Sequence, residues 1–375
     1  MKNYIRKCKS CIKSYYSILM PNKYIKNISR FKKEIKNYRL SGLSIYDEQA
    51  WFRSLQRLII AQPSEIDVAI SFYRDSPSLI KLTEFDADKV TLISVVKNEK
   101  YRIAKFLRHY RSIGVEQFAI IDNGSDDGTR EFLLEQNDVS LFSTDIEYTT
   151  NRREAWINRV MAYYGYNRWY IVVDSDELLT YVDIENHDIK SLIAWAENKK
   201  IQRIRGMLVD MYAESFKEFD NFETDPYSQT CYFDSNTYYE EQSTRLDIVR
   251  GGLRARIFDM PPMLTKYPVI QLKKGDVQGK SHFLYPYYKN VESKCYLALL
   301  HYKFLPQDFS RYREIAQKGN YYNGSIQYKK YVEKFDQIEE NGSECELLYE
   351  GSVKYNNSMD LLHIEPLCAI EWKAL

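Results

Sequence analysis

Two aspartates one residue apart, Asp174 and Asp176, stand directly after Trp169-Tyr170-Ile171-Val172-Val173, an apolar run of strand length. Where a chain turns tightly off a buried strand, alternate residues can face the same space. Two carboxylates there invite a hard divalent cation such as Mg²⁺ or Mn²⁺, which prefers oxygen ligands and is commonly shared with substrate phosphates. Such a cation neutralises the charge that collects on a departing nucleoside diphosphate. Asp-x-Asp alone is common in surface turns, so its place after a strand carries the weight.

Two further polar clusters follow apolar runs. Lys97, Asn98 and Glu99 follow Val90–Val96, and Asp122-Asn123-Gly124-Ser125-Asp126-Asp127-Gly128-Thr129 follows Phe118–Ile121. Asp122 is suited to accept from a base N–H or a ribose hydroxyl, while the Asp, Ser and Gly beside it also suit a strand-to-helix turn. These strand-end residues, Lys97, Asn98, Glu99, Asp122 and Asp174, are the donor-binding candidates. A carboxylate that deprotonates an acceptor hydroxyl is expected near them. Asp210, at the end of Met207-Leu208-Val209-Asp210, is the first choice, with Glu240, Glu241 and Asp247 as rivals. Arg254 and Arg256 alternate as on one face of a strand, and either bind diphosphate or pair with acids.

The positioning elements follow from periodicity. Val90–Val96, Phe118–Ile121, Val139–Phe142 and Trp169–Val173 read as strands, rich in β-branched and aromatic residues. Between them Ile103, Phe106, Leu107 and Tyr110 fall at helical spacing, with Gly114 suited to end that helix. Phe132 with Leu133, and Ala155–Tyr164, mark two more helices. Apolar strands that do not alternate, separated by helices, predict an α/β Rossmann-like fold: a mostly parallel sheet covered on both faces. Such sheets bind ligands beyond the carboxyl ends of their strands, where the three polar clusters lie.

Taken together, Val-Thr-Leu-Ile-Ser-Val-Val-Lys-Asn-Glu, His-Tyr-Arg-Ser-Ile-Gly-Val, Ile-Ile-Asp-Asn-Gly-Ser-Asp-Asp-Gly-Thr-Arg-Glu and Trp-Tyr-Ile-Val-Val-Asp-Ser-Asp-Glu-Leu-Leu resemble the family 2-type glycosyltransferases of GT-A fold. The nearer likeness is to their bacterial branch related to glycosyltransferase family 92, over about residues 90–318. The resemblance implies sugar transfer from a nucleoside-diphosphate sugar, a UDP-sugar favoured, with Mn²⁺ or Mg²⁺ and inversion at the anomeric carbon. It implies that Asp122 contacts the base, that Asp174 holds the ribose or joins the metal shell, and that Asp176 ligates the metal. Arg153 is similar in position to a nucleotide-contacting basic residue. The family adds a late histidine ligand, for which His301 is preferred and His282 is the alternative.

Organisation follows from composition. The chain of 375 residues reads as a basic arm (1–43), a helical lead-in (44–87) around Trp51, Leu55, Leu58 and Ile59, a catalytic region (88–305) and a helical C-terminal extension (306–375). Residues 1–39 hold 12 Lys or Arg against Glu34 alone, a net +11, which leaves the remainder at −10. Ile28, Phe31 and Ile35 would give the arm an amphipathic helix fit for an anionic membrane surface, the other outcome being packing on the protein body. Nothing points to nucleic acid as a partner. No run of 18 apolar residues exists, and Tyr15–Met20 is too short for a signal-peptide core. Six cysteines, with Cys8 and Cys11 alone in Cys-x-x-Cys spacing, suggest reduced thiols. The expected location is cytoplasmic, peripheral on the inner face of the membrane. Tyrosine clusters at 238–239, 285–288 and 321–322, among 33 tyrosines, could form platforms for a glycan or lipid-linked saccharide acceptor.

Two other readings compete. A phosphotransferase using an aspartyl nucleophile would want a hydroxylated or β-branched residue two positions past the second aspartate, where this chain has Leu178. A carbohydrate-binding scaffold that kept the fold and lost turnover would have no need of both Asp174 and Asp176.

Overall fold

The computed structural model describes residues 21–36, 38, 43–215, 226–242, 247–280, 282–292, 294–305, 308–319, 322–341 and 346–372. Cys8, Cys11, the Tyr15–Met20 segment and Tyr321 lie outside them. Among the described residues, ten α-helices are longer than a single short turn: α1 (Pro21–Ile35), α2 (Glu48–Ala61), α3 (Ile66–Arg74), α4 (Lys100–Ser112), α5 (Thr129–Glu135), α6 (Thr150–Tyr164), α7 (Ile189–Asn198), α8 (Leu253–Phe258), α9 (Asp308–Lys318) and α10 (Tyr322–Asn341). Nine strands make one sheet: β1 (Ser78–Lys81), β2 (Thr91–Val96), β3 (Gln117–Asp122), β4 (Val139–Ser143), β5 (Arg168–Val172), β6 (Glu177–Thr180), β7 (Arg203–Asp210), β8 (Thr265–Leu272) and β9 (Leu297–His301).

Their order across the sheet is β1-β4-β3-β2-β5-β8-β7-β9-β6. The block β4-β3-β2-β5 is parallel throughout, as the strand-helix alternation requires. Beyond it β8 runs antiparallel to both β5 and β7, β9 is parallel to β7, and β6 is antiparallel to β9. The sheet is therefore mixed but mostly parallel, as expected from the sequence, with β2, β3, β4, β5, β7 and β9 all running the same way. The lead-in also holds a strand that its loop-like composition hid, since β1 caps the sheet edge antiparallel to β4.

Both faces are covered, and the strand alternation shows it. Leu92, Phe118, Ile120 and Ile171 enter one core with Ile103, Phe106 and Leu107 of α4 and Leu192 of α7. Their neighbours Ile93, Ala119, Ile121 and Tyr170 enter the other, with Trp51 and Leu55 of α2, Phe72 of α3 and Trp156 of α6. A third cluster joins Phe258 and Phe304 to Tyr312, Tyr331 and Phe335 beneath the C-terminal helices. Helix α6 is buried along nearly its whole length, capped by Thr149 accepting from Arg152 N–H. That embedding fixes where Arg153 points.

The basic arm's expected helix exists, as α1, but its apolar face is spent on the protein. Phe31 is fully buried, its ring 5.6 Å from Phe52 and 6.0 Å from Tyr73, and Ile28 and Ile35 pack against the same core. Attraction of α1 to an anionic surface would rest on exposed Lys26, Lys32 and Lys33 rather than on an inserted apolar face. Among the described residues no helix is long and apolar enough to cross a membrane.

The expected strand bearing Arg254 and Arg256 is instead the helix α8. Gly251, at φ +110°, passes so close to Thr237 that a Cβ would sit 2.1 Å from its carbonyl oxygen, and the chain turns there out of strand geometry. On a helix the two arginines diverge, Arg254 to Asp210 and Arg256 to Asp234. Pairing with acids is the outcome for both.

Two predictions follow from the packing. Phe31→Ala should cost about 3 kcal/mol by denaturant titration, the scale of a deleted buried aromatic ring; an unchanged midpoint would mean that α1 is not part of the cooperative fold. His109 lies 2.8 Å by Nε2 from the Leu179 carbonyl, and burial pushes its pKa down to about 4. The folded state thus favours neutral imidazole, and only the unfolded chain takes a proton between the ordinary 6.5 and about 4. This contribution to stability is complete above pH 6.5 and is lost as pH falls through that window. His109→Gln, which keeps a donor for Leu179, should flatten the slope of unfolding free energy against pH there, and an identical slope would exclude His109 as its source.

Candidate active site

β5 ends at Val172, and a tight turn closed by the Glu177 N–H donating to the Asp174 carbonyl at 3.1 Å leads into β6. The turn brings the carboxylates of Asp174, Asp176 and Glu177 within 4.8 Å of one another. Asp174 and Asp176 line a cleft of about 160 Å³ with Val95, Val96, Lys97, Glu99, Arg102, Asn123, Tyr148, Arg153, Ser175, His301, Lys303, Asp308, Arg311, Tyr312, Ile315 and Tyr328. The cleft opens at the carboxyl ends of β2 and β5, which are adjacent and parallel.

Each carboxylate is faced by cations from other parts of the chain. Arg153, itself 3% exposed, reaches Asp174 with Nε at 3.1 Å and with Nη2, and Lys266 of β8 stands 3.6 Å away. Burial opposes ionisation of Asp174, but Arg153 and Lys266 outweigh it and hold the group at about 2. Asp176 Oδ2 lies 3.4 Å from His301 Nε2, 3.7 Å from Lys303 Nζ and 3.9 Å from Arg102 Nη1. Against burial, His301 and Lys303 hold Asp176 well below the usual carboxylate range. Glu177 spends both oxygens on Lys266, at 2.7 and 2.5 Å, and also accepts the Asp174 N–H at 2.9 Å.

His301 is the histidine of the site. Its Nδ1 lies 2.6 Å from Asp210 Oδ1, and Arg254 Nε donates to the other oxygen, Oδ2, at 2.7 Å. Burial lowers the pKa of a histidine, yet the charges of Asp176 and Asp210 raise that of His301. His282 is elsewhere. Its Nδ1 is 2.8 Å from the Thr265 carbonyl, burial pushes its pKa down to about 3, and it does not line the cleft.

The base expected at Asp210 is corrected by the same geometry. Asp210 is 1% exposed, sits behind His301 rather than in the cleft, and is held at about 2 by Arg254 and His301 against the pull of burial. It is a positioning residue that orients the imidazole. Its rivals fare no better. Glu240 pairs with Arg205 at 3.0 Å and Glu241 with Arg250, both on the hairpin of Tyr239–Gln242 with Asp247–Arg250. None of the three rivals lines the cleft.

Of the strand-end candidates, Lys97 and Glu99 line the cleft, while Asn98 and Asp122 brace it from behind. Asn98, at φ 54°, donates to Asp126 at 2.8 Å and accepts from Asp126 N–H at 3.0 Å, clasping the loop after β3. Asp122 is fully buried, accepting from Arg130 Nε at 2.7 Å and from Ser125 N–H at 3.2 Å. Its neighbour Asn123 lines the cleft instead. Both amide hydrogens of Asn123 go to carbonyls, of Thr144 at 3.0 Å and Ile146 at 2.8 Å, leaving Oδ1 as a fixed acceptor with no partner. The tyrosines at the cleft are Tyr148, Tyr312 and Tyr328, while the described tyrosines of the clusters at 238–239 and 285–288 do not line it.

Lys303, Arg311, Asp308 and Asn123 were missed from sequence. Lys303 had a signal, since it lies two residues past His301 as the chain leaves β9. Arg311 had none, because nothing local says which way a polar helix residue faces.

No known family model matches the chain. No curated protein matches it either.

Among the described residues, Asp174, Asp176 and Glu177 are the acids close enough together to share a cation. His301 faces Asp176 from outside that group, with Nε2 at 3.4 Å and its other nitrogen tied to a carboxylate, an arrangement that also orients metal-bound histidines. Glu177 completes the cluster geometrically, but its oxygens belong to Lys266. The buried Asp210–Arg254 pair yields a stability test. Asp210→Asn should destabilise the fold by about 3 kcal/mol, because Arg254 stays buried without its counter-charge. A loss below about 1 kcal/mol in denaturant titration, the scale of an exposed pair, would contradict this.

Proposed function

We propose that this chain is a glycosyltransferase of GT-A type, moving a sugar from a nucleoside-diphosphate sugar to an acceptor hydroxyl, related to the family 2 enzymes near family 92. The observation that carries the proposal is the facing of Asp176 by His301 in a cation-lined cleft at the ends of parallel strands. Asp174, Asp176 and His301 would hold Mn²⁺ or Mg²⁺. When bound, that cation supplies Lewis-acid stabilisation to the departing diphosphate.

The chain's own residues do the rest. Arg153 fixes the carboxylate of Asp174, and Asp210 with Arg254 fixes the ring of His301. Lys97 and Lys303 add positive charge where phosphate charge would grow. Asn123 Oδ1, fixed as an acceptor, suits a base that presents a ring N–H, such as uracil. Tyr148, Tyr312 and Tyr328 offer apolar faces with polar tips to a sugar. A glycan or lipid-linked saccharide is the acceptor class we favour, with synthesis of a surface polysaccharide at the inner face of the membrane as the setting. The net +11 of residues 1–39 supports an anionic surface as neighbour.

The three basic side chains already facing Asp176 favour a second reading, in which Lys303 and Arg102, with His301 when protonated, offset diphosphate charge without a metal. Calorimetric titration with UDP and GDP, with Mn²⁺ and with a chelator, separates the two. Binding that needs Mn²⁺ supports the first, binding that survives chelation the second, and glycan binding without nucleotide binding overturns both in favour of a lectin-like scaffold.

Screening nucleotide sugars for Mn²⁺-dependent hydrolysis should find a donor. Asp176→Asn should then keep the far-ultraviolet spectrum and lose at least about 100-fold in that hydrolysis, the scale of one lost preorganised charge contact in catalysis. Full activity in Asp176→Asn would refute the metal role.

A further inference from the structure

The C-terminal helices bring one more cation to the cleft, and no sequence motif announces it. Arg311, on the second turn of α9, lines the cleft with its side chain 32% exposed. Its Nη1 donates to Glu99 Oε1 at 2.7 Å. Glu99 ends the turn after β2 as the N-cap residue of α4 and is only 4% exposed in its side chain. Its second oxygen lies 3.1 Å from Arg102 Nε, so Glu99 holds two guanidinium groups.

We propose that Arg311 is a donor-binding residue that takes a phosphate oxygen of the nucleoside diphosphate, with Glu99 as its resting partner. The proposal rests on the glycosyltransferase reading and adds a residue to it. Three features carry it. Arg311 and Asp176 line the same cleft and are linked through Glu99 and Arg102, whose Nη1 is 3.9 Å from Asp176 Oδ2. Glu99 loses no essential compensation when Arg311 turns to phosphate, because Arg102 stays with it. The planar fork of the guanidinium matches phosphate as well as carboxylate, and both contacts are charge-assisted.

The helix is anchored separately, so moving Arg311 does not undo it. Asp308, at the start of α9, takes Arg102 Nη2 on both oxygens at 2.6 Å and the Tyr101 hydroxyl at 2.6 Å. Both Asp308 and Arg102 are buried. Tyr312 of the same helix donates to the Lys303 carbonyl.

The test is calorimetric titration of the full chain with UDP and with uridine in the presence of Mn²⁺, for wild type, Arg311→Met and Arg311→Lys. The expected result is UDP binding weakened about tenfold or more in Arg311→Met, the scale of one lost hydrogen bond to a charged group, and partly restored in Arg311→Lys. Uridine, which lacks phosphate, should bind all three alike. Equal UDP affinity in wild type and Arg311→Met overturns the role of Arg311 and leaves the glycosyltransferase reading standing. Equal weakening of UDP and uridine also overturns it, since that marks a structural loss. Failure of wild type to bind any nucleoside diphosphate overturns the reading on which the proposal depends.

Discussion

Three carboxylates crowd the turn after β5, and like charges at that spacing repel. Within 4.8 Å each ionised pair costs roughly 3 kcal/mol or more at an effective dielectric of ~20. The turn holds only because cations meet it from elements far apart in the chain. Arg153 comes from α6, Lys266 from β8, Arg102 from α4, His301 from the end of β9 and Lys303 from just beyond it. Removing one partner from a buried pair typically costs about 3–5 kcal/mol, so the cluster and the fold depend on each other.

That mutual dependence gives the site its rigidity. The imidazole of His301 is oriented by Asp210, and Asp210 in turn by Arg254 of the short helix α8. Asp174 cannot swing away without leaving Arg153, whose helix is buried along nearly its whole length. Charge compensation of this kind leaves Asp174 and Asp176 ionised and aimed before any ligand arrives, which is what preorganised electrostatics requires. Of the cleft residues, Lys97 is exposed and Arg311 partly so.

The sheet's change of direction places the cleft. β2 lies between β3 and β5, both parallel to it, so the ends of all three open on one side. Next to β5 the antiparallel β8 carries Lys266 back under the turn, and β9 delivers His301 beside Glu177 in register. The C-terminal helices then close one wall with Asp308, Arg311 and Tyr312. Residues from 95 to 328 meet in one cleft, and no local stretch of chain could hold it alone.

The chain alone determined the parallel block and its polar strand ends, because buried β-strands and amphipathic helices declare themselves by local period and composition. Asp174 and Asp176 were legible for the same reason, standing at the end of a buried strand, whereas Arg153 and His301 were singled out only through the family resemblance. Only tertiary structure decided which polar groups point into the cleft and which brace it. Asp210 reads as an exposed strand-end acid until Arg254 and His301 seal it, and Asp122 yields the cleft to Asn123 once Arg130 takes its carboxylate. The partners of these groups lie between 8 and 91 residues away along the chain, and charge pairing at close range is blind to that distance. Likewise the arm's apolar stripe could have met lipid or protein, since one amphipathic face suits both. The rings of Phe52 and Tyr73 settled it by supplying a surface to cover.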